Sequence, residues 1–170
     1  MKQIFLYGEI DEETTKDVVK DMYELEEDFI LNINSSGGDI TDAIAIINAI
    51  NDIKTKYNIY GLGNGKIYSS AVPIFVSCNR KFIMPNTSAL LHSSSVSFGS
   101  TKIRDTLEDL DLIKKLDNEL DKIIINKSKI TKKQYEKEVT IKNRDWYLTD
   151  EEIITYGIAE KIIKKINEIK

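Results

Sequence analysis

Residues 1–92 alternate strand-like and helix-like runs, and that alternation limits the fold more than any other feature of the chain. Lys2–Tyr7 (KQIFLY) predicts a strand, and Gly8 ends it. Asp11 is placed to cap a helix over Glu12–Glu24, where Val18, Val19, Met22 and Tyr23 recur at helical spacing. Phe29–Asn34 (FILNIN) predicts a second, largely buried strand, followed by the turn SSGGD and an apolar helix over Ile40–Ile53. Ile59–Leu62 predicts a third strand, Gly63–Tyr68 a loop with two glycines, and Ser69 to about Cys78 another buried helix. Pro73 falls in the first turn of that helix, where a missing N–H costs little. Lys81–Met84 and Ala89–His92 predict two more short strands. The order βαβαβαββ is that of an α/β protein with a mostly parallel sheet.

The remainder is more helical. After a polar segment, Ser93–Ser100, apolar residues from Ile103 to Ile124 recur every three or four positions and predict one long helix over Thr101–Lys127. Such a helix covers the sheet or projects to meet another subunit. Thr131–Val139 predicts a shorter, charged helix, and Trp146–Leu148 an extended piece. Thr149 and Glu152 form a capping-box pattern for a helix over Asp150–Tyr156, which Gly157 ends. Ile158–Ile169 closes the chain as an amphipathic segment. With 170 residues, two prolines and no repeat or low-complexity linker, a single domain over 1–170 is expected.

Charge and apolar patterning exclude several classes. A net charge of −4 without a basic, aromatic-studded block argues against a nucleic-acid partner. No signal peptide opens the chain, and no stretch approaches the roughly 20 apolar residues of a membrane span. The single cysteine, Cys78, sits in an apolar run and reads as a buried, inert thiol, which suits a cytoplasmic location.

Chemistry concentrates between Gly65 and His92. A serine hydroxyl is a poor nucleophile until a base takes its proton, and the chain offers one imidazole, His92. Ser69 and Ser70 stand at the mouth of a buried helix. A third group must fix the imidazole tautomer, and N–H donors must receive an oxyanion. Ser36-Gly37-Gly38, closing a buried strand, can supply such donors, as can the N–H of Ser70. Taken singly, a serine at a helix start is usually a cap, a lone histidine is usually structural, and a GG pair is usually a turn. Spacing does not choose the third member among 28 acidic residues.

Four segments, in order, carry a resemblance. INSSGGDITDAIAIINAI resembles the INSPGG segment and apolar helix of the ClpP family of serine peptidases. GKIYSSAVPIFV resembles that family's nucleophile segment, MPNTSALLH its LPNxxxMIH, and NRDWYLTDEEIITYGIAEKII its DRDxFLSAxEAxxYGLIDxVI. The resemblance implies Ser69 as nucleophile, His92 as base and Asp145 as the third catalytic residue. Its oxyanion donors would be the backbone N–H groups of Gly38 and Ser70. Substrate would be bound along Gly37, Asp39 and Ile40 and along Ser93 and Ser94. It also implies a crotonase-like β/α spiral with a protruding handle helix, about residues 101–127. The assembly would be a homo-oligomer, a heptameric ring or a stacked double ring, with active sites in a closed chamber. Polypeptide is the substrate, an AAA+ unfoldase a possible partner, and no cofactor or metal is required.

Several positions depart from the family pattern. Ser36 replaces its proline, Ser70 its methionine and Ala71 its glycine, and Asn143 stands where an acid precedes the arginine. The sequence begins almost at its first core strand, so the family's N-terminal axial segment is expected to be missing. Short, divergent members of this kind resemble those encoded by phages or mobile elements. Two other readings use the same fold: a catalytically dormant structural or regulatory ring subunit, and crotonase-like acyl-CoA chemistry. The latter has no use for a Ser–His–Asp set.

Overall fold

The computed structural model describes residues 1–93, 103–142 and 144–169, and the side chains of all of these except 103–108. Seven strands form one sheet, ordered β1 (Lys2–Ile10), β2 (Phe29–Gly38), β3 (Ile59–Tyr68), β4 (Arg80–Ile83) and β7 (Lys161–Ile162). Beside this path, β5 (Ser88–Leu91) pairs with the far half of β3 and carries β6 (Trp146–Leu148). All pairings are parallel except β5 with β6. The fold is the expected α/β spiral.

The parallel ladders require helical crossovers, and the sequence supplies them. Helix α1 (Glu12–Glu24) starts where the Asp11 carboxylate accepts the Thr14 N–H at 2.8 Å. Helix α2 (Ile40–Ile53) starts where the Asp39 carboxylate accepts the Thr41 N–H at 2.7 Å. Its Ala43, Ile46 and Ile50 are completely buried against the sheet. Each such isoleucine contributes roughly 1.5–3 kcal/mol of burial. Helix α3 (Ala71–Ser77) is buried at every residue. These helices cover one face; Ile30, Leu62 and Phe82 form a smaller apolar cluster with Ile163 and Ile169.

Several segments differ from the sequence expectation. Gly8 does not end β1, which pairs with β2 as far as Ile10, and Ser35–Gly38, expected within a turn, completes β2. Gly63–Tyr68 is strand, not loop: β3 continues through it, with a register shift against β2 between the Ile33 and Ser35 pairings and Gly65 at φ 103°. Glycines inside a strand mark an irregular ladder as readily as they mark a loop. The C-terminal segment is not one amphipathic stretch. It forms the two-residue β7, then a short 3₁₀ turn at Ile166–Glu168, because its backbone pairs with β4.

Helix α4 (Ile103–Asn126) is the long handle. Its last turns are anchored on α2 and α3 through the buried Leu120 and Ile124, whereas Leu112 is 55% exposed. The charged segment after it begins as α5 (Lys132–Tyr135), behind a Thr131–Gln134 capping box, and widens to a π-helical turn over Glu136–Ile141. Helix α6 (Asp150–Thr155) has the expected Thr149–Glu152 box. No helix among the described residues is long and apolar enough to cross a membrane.

Candidate active site

The junction of β3 and α3 places Ser69. Its φ of 55° lies in the left-handed region, which costs an L-residue roughly 1–2 kcal/mol. Bonds on both sides hold it there. Its N–H donates to the Leu90 carbonyl of β5, and its own carbonyl accepts the Val72 N–H, each at 2.9 Å. Gly37 of β2 passes directly beneath; a Cβ at that position would lie 2.6 Å from the Ser69 Cβ.

The expected base and third residue, His92 and Asp145, flank the antiparallel pair β5–β6. Leu91 of β5 faces Trp146 of β6, so one residue further along the same register His92 stands across from Asp145. His92 Nε2 lies 2.8 Å from Ser69 Oγ, hydrogen-bonding distance. His92 Nδ1 lies 4.0 Å from Asp145 Oδ1, beyond direct hydrogen bonding. The Asp145 side chain is 57% exposed. Ser69 and His92 are thus in contact, and Asp145 is adjacent to them without yet touching the ring.

A cleft of about 630 Å³ opens over this pair. Gly37, Gly38, Asp39 and Ile40 line it together with Ser69 and His92. Ser93 is exposed at its edge of the chain and does not line the cleft; Ser94 and Asn143 lie outside the described residues. Asp39 is committed to the α2 N-terminus. The Thr41 side chain first, then backbone N–H groups, hold its carboxyl below the usual carboxylate range. Burial, reinforced by Asp39 and Glu12, pushes Asp42 up instead. Among the described residues no cluster of histidine, cysteine and acidic side chains could hold a metal ion.

The two expected oxyanion donors stand on facing elements. Gly38 closes β2, and Ser70 caps α3 immediately after Ser69. The Gly38 N–H, however, donates to the Ser70 hydroxyl at 2.8 Å, and that hydroxyl donates to the Gly38 carbonyl at 3.2 Å.

Two features escaped sequence reasoning. Glu138 pairs with Arg144, and at 2.6 Å with Lys142, so the arginine next to Asn143 finds its acid within the subunit. The Lys142 ammonium foremost, then Arg144, holds the Glu138 carboxyl below its usual range. Only the four-residue spacing to Lys142 hints at this in sequence. The second feature is a void of about 30 Å³ behind Ser69 and His92, lined also by Ser70, Asp117, Asp121 and Tyr135. There the Tyr135 hydroxyl donates to the Asp121 carboxylate. Burial pushes Asp121 up to about 6, against the lowering effect of the Tyr135 bond and with the help of Asp117. No pattern joins 121 to 135 in sequence.

Asp121 therefore carries a pH signature. Its folded pKa is raised from 3.8, so its contribution to stability is fully present below about pH 4 and is lost as pH rises through 6. Asp121→Asn keeps an acceptor for Tyr135 and carries no charge. Denaturant unfolding should find it more stable than the parent by roughly 1–3 kcal/mol at pH 8, and equal at pH 4. A gap of the same size at both pH values would refute the assignment.

The family model described as Clp protease matches residues 1–166. A Clp protease proteolytic subunit 3 from Rhizobium etli is 30% identical, over 95% of this chain and 84% of the relative. A proteolytic subunit 2 from Pseudomonas aeruginosa is 27% identical, over 99% and 84%. Among solved structures, a ClpP1 mutant from Listeria monocytogenes superposes with a TM-score of 0.85 at 23% identity, covering 99% of this chain and 95% of that one. The fold is that of ClpP, with its handle helix. The chain belongs to the Clp protease family.

Proposed function

We propose that the chain is a serine endopeptidase subunit, one peptidase domain over residues 1–170. The carrying observation is the 2.8 Å contact between His92 Nε2 and a serine hydroxyl held on a left-handed turn. Ser69 Oγ attacks the peptide carbonyl as His92 Nε2 takes its proton. The Ser70 and Gly38 N–H groups receive the developing oxyanion. Collapse of the tetrahedral intermediate breaks the C–N bond, and His92 passes its proton to the leaving amine. Water, deprotonated by His92, then cleaves the ester and restores Ser69. Asp145 closes on Nδ1 and stabilises the imidazolium. Backbone at Gly37, Asp39 and Ile40, together with Ser93 and Ser94, binds extended substrate.

The relatives' names, proteolytic subunits of an ATP-dependent protease, support one subunit of a larger protease, and the reading is a cytoplasmic homo-oligomer that encloses its sites. A heptameric ring, single or stacked through α4, suits the exposed Leu112 on the handle. Unfolded polypeptide is the substrate, and an AAA+ ATPase is the partner that would deliver it.

A second reading, a dormant ring subunit, draws on one observation: Asp145 is 4.0 Å from His92. Fluorophosphonate labelling of the assembled protein, with peptide mapping, separates the two. The peptidase reading expects one adduct on Ser69 that disappears in His92→Ala. A folded, assembled protein that takes no adduct is the dormant subunit.

A further inference from the structure

Ser70 carries a role that its backbone N–H does not exhaust. The residue is 5% exposed and its side chain touches both polar groups of one residue: its oxygen accepts the Gly38 N–H at 2.8 Å, and its proton goes to the Gly38 carbonyl at 3.2 Å. The opposite edge of β2 is already paired, with Ile10 facing Gly38 and the Asp39 N–H donating to the Ile10 carbonyl at 2.8 Å. The only edge of Gly38 left for a ligand is the edge that Ser70 fills. A hydroxyl that accepts from N–H and donates to C=O offers the same two bonds as the peptide group of an incoming strand. A backbone N–H has one proton. Bonded to Ser70 Oγ at 2.8 Å, it is not free to stabilise charge at the Ser69 carbon.

We propose that Ser70 is a positioning residue that gates the oxyanion site: its hydroxyl closes the Gly38 N–H, and turning about χ1 releases that N–H to the substrate oxygen. The inference rests on the peptidase reading. The turn needs no backbone movement, because the staggered wells of one bond suffice. It also has somewhere to go. The void of about 30 Å³ that Ser70 lines is lined also by Asp117 and Asp121, whose side chains are of a type that accepts a hydroxyl proton. Closed, the site keeps only the Ser70 N–H as donor; open, it has two. One oxyanion donor is worth about 10²–10³ in rate, so a gate closed by two neutral hydrogen bonds restrains catalysis by a smaller factor, about tenfold.

The test compares the parent protein with Ser70→Ala and Ser70→Thr by two independent readouts. One is deuterium exchange of the Gly38 amide, resolved by fragmentation mass spectrometry. The other is the rate at which a fluorophosphonate modifies Ser69, a reaction that places an oxygen in the same hole. The gate expects Ser70→Ala to expose the Gly38 amide to faster exchange and to raise the labelling rate about tenfold. Ser70→Thr, which keeps the hydroxyl, restores slow exchange. Unchanged exchange in Ser70→Ala overturns the contact itself. Faster exchange with unchanged or slower labelling overturns the gate and leaves a buried hydroxyl that serves packing alone. Faster exchange with no adduct in any of the three proteins overturns the peptidase reading, and the gate with it.

Discussion

Ser69→Ala should lower peptide hydrolysis by about 10⁴-fold or more while leaving the fold and the assembly intact. The size follows from the chemistry. Without Oγ there is no acyl-enzyme, and His92 loses its hydrogen-bond partner at 2.8 Å. The oxyanion donors and the substrate edge remain, so a residue of catalysis over water survives. The small cost to folding follows from geometry. Ser69 is held by its backbone, through the Leu90 carbonyl and the Val72 N–H, and its hydroxyl is not part of the core. Initial rates on a peptide, with sedimentation and thermal unfolding on the same samples, measure both. Parent-like activity in Ser69→Ala would remove the nucleophile assignment.

Gly38→Ala should destabilise the chain by more than about 3 kcal/mol. A Cβ there would sit 2.1 Å from the Ile10 carbonyl oxygen and 2.7 Å from the Ile10 nitrogen, and neither atom can yield without breaking the β1–β2 ladder. Gly38 also has φ 156°, where side chains are rarely tolerated. Gly8→Ala is the control. Gly8 has φ 85°, yet nothing lies within 4 Å of its Cβ position, so conformational strain of about 1 kcal/mol is its whole cost. Denaturant midpoints of the two variants should differ accordingly. Similar midpoints would mean that the end of β2 gives way more easily than its pairing implies.

Local physics explains which parts were legible in sequence. Helices α1 and α2 begin and end where the sequence predicts, since Asp11 and Asp39 cap them and apolar residues keep helical period between the caps. The far half of β3 was hidden because its glycines mimic a loop, and β7 because two residues carry no period. The π-helical turn after Tyr135 has no propensity signature at all. At the site, the motif order pointed to Ser69, His92 and Asp145, but not to the distances between them. Ser70 bonding Gly38 across 32 positions, and Tyr135 bonding Asp121 across 14, come from elements brought together only by the finished fold.

The pairing of β5 with β6 also orders events in time. Ser69 and His92 lie 23 positions apart and are joined once β3, α3 and β5 have formed. Asp145 immediately precedes the three-residue strand β6 and lies beyond the whole handle in the chain. A chain synthesised only as far as the handle holds Ser69 and His92 but not Asp145. On the peptidase reading, the complete site therefore depends on the last part of the chain to be made.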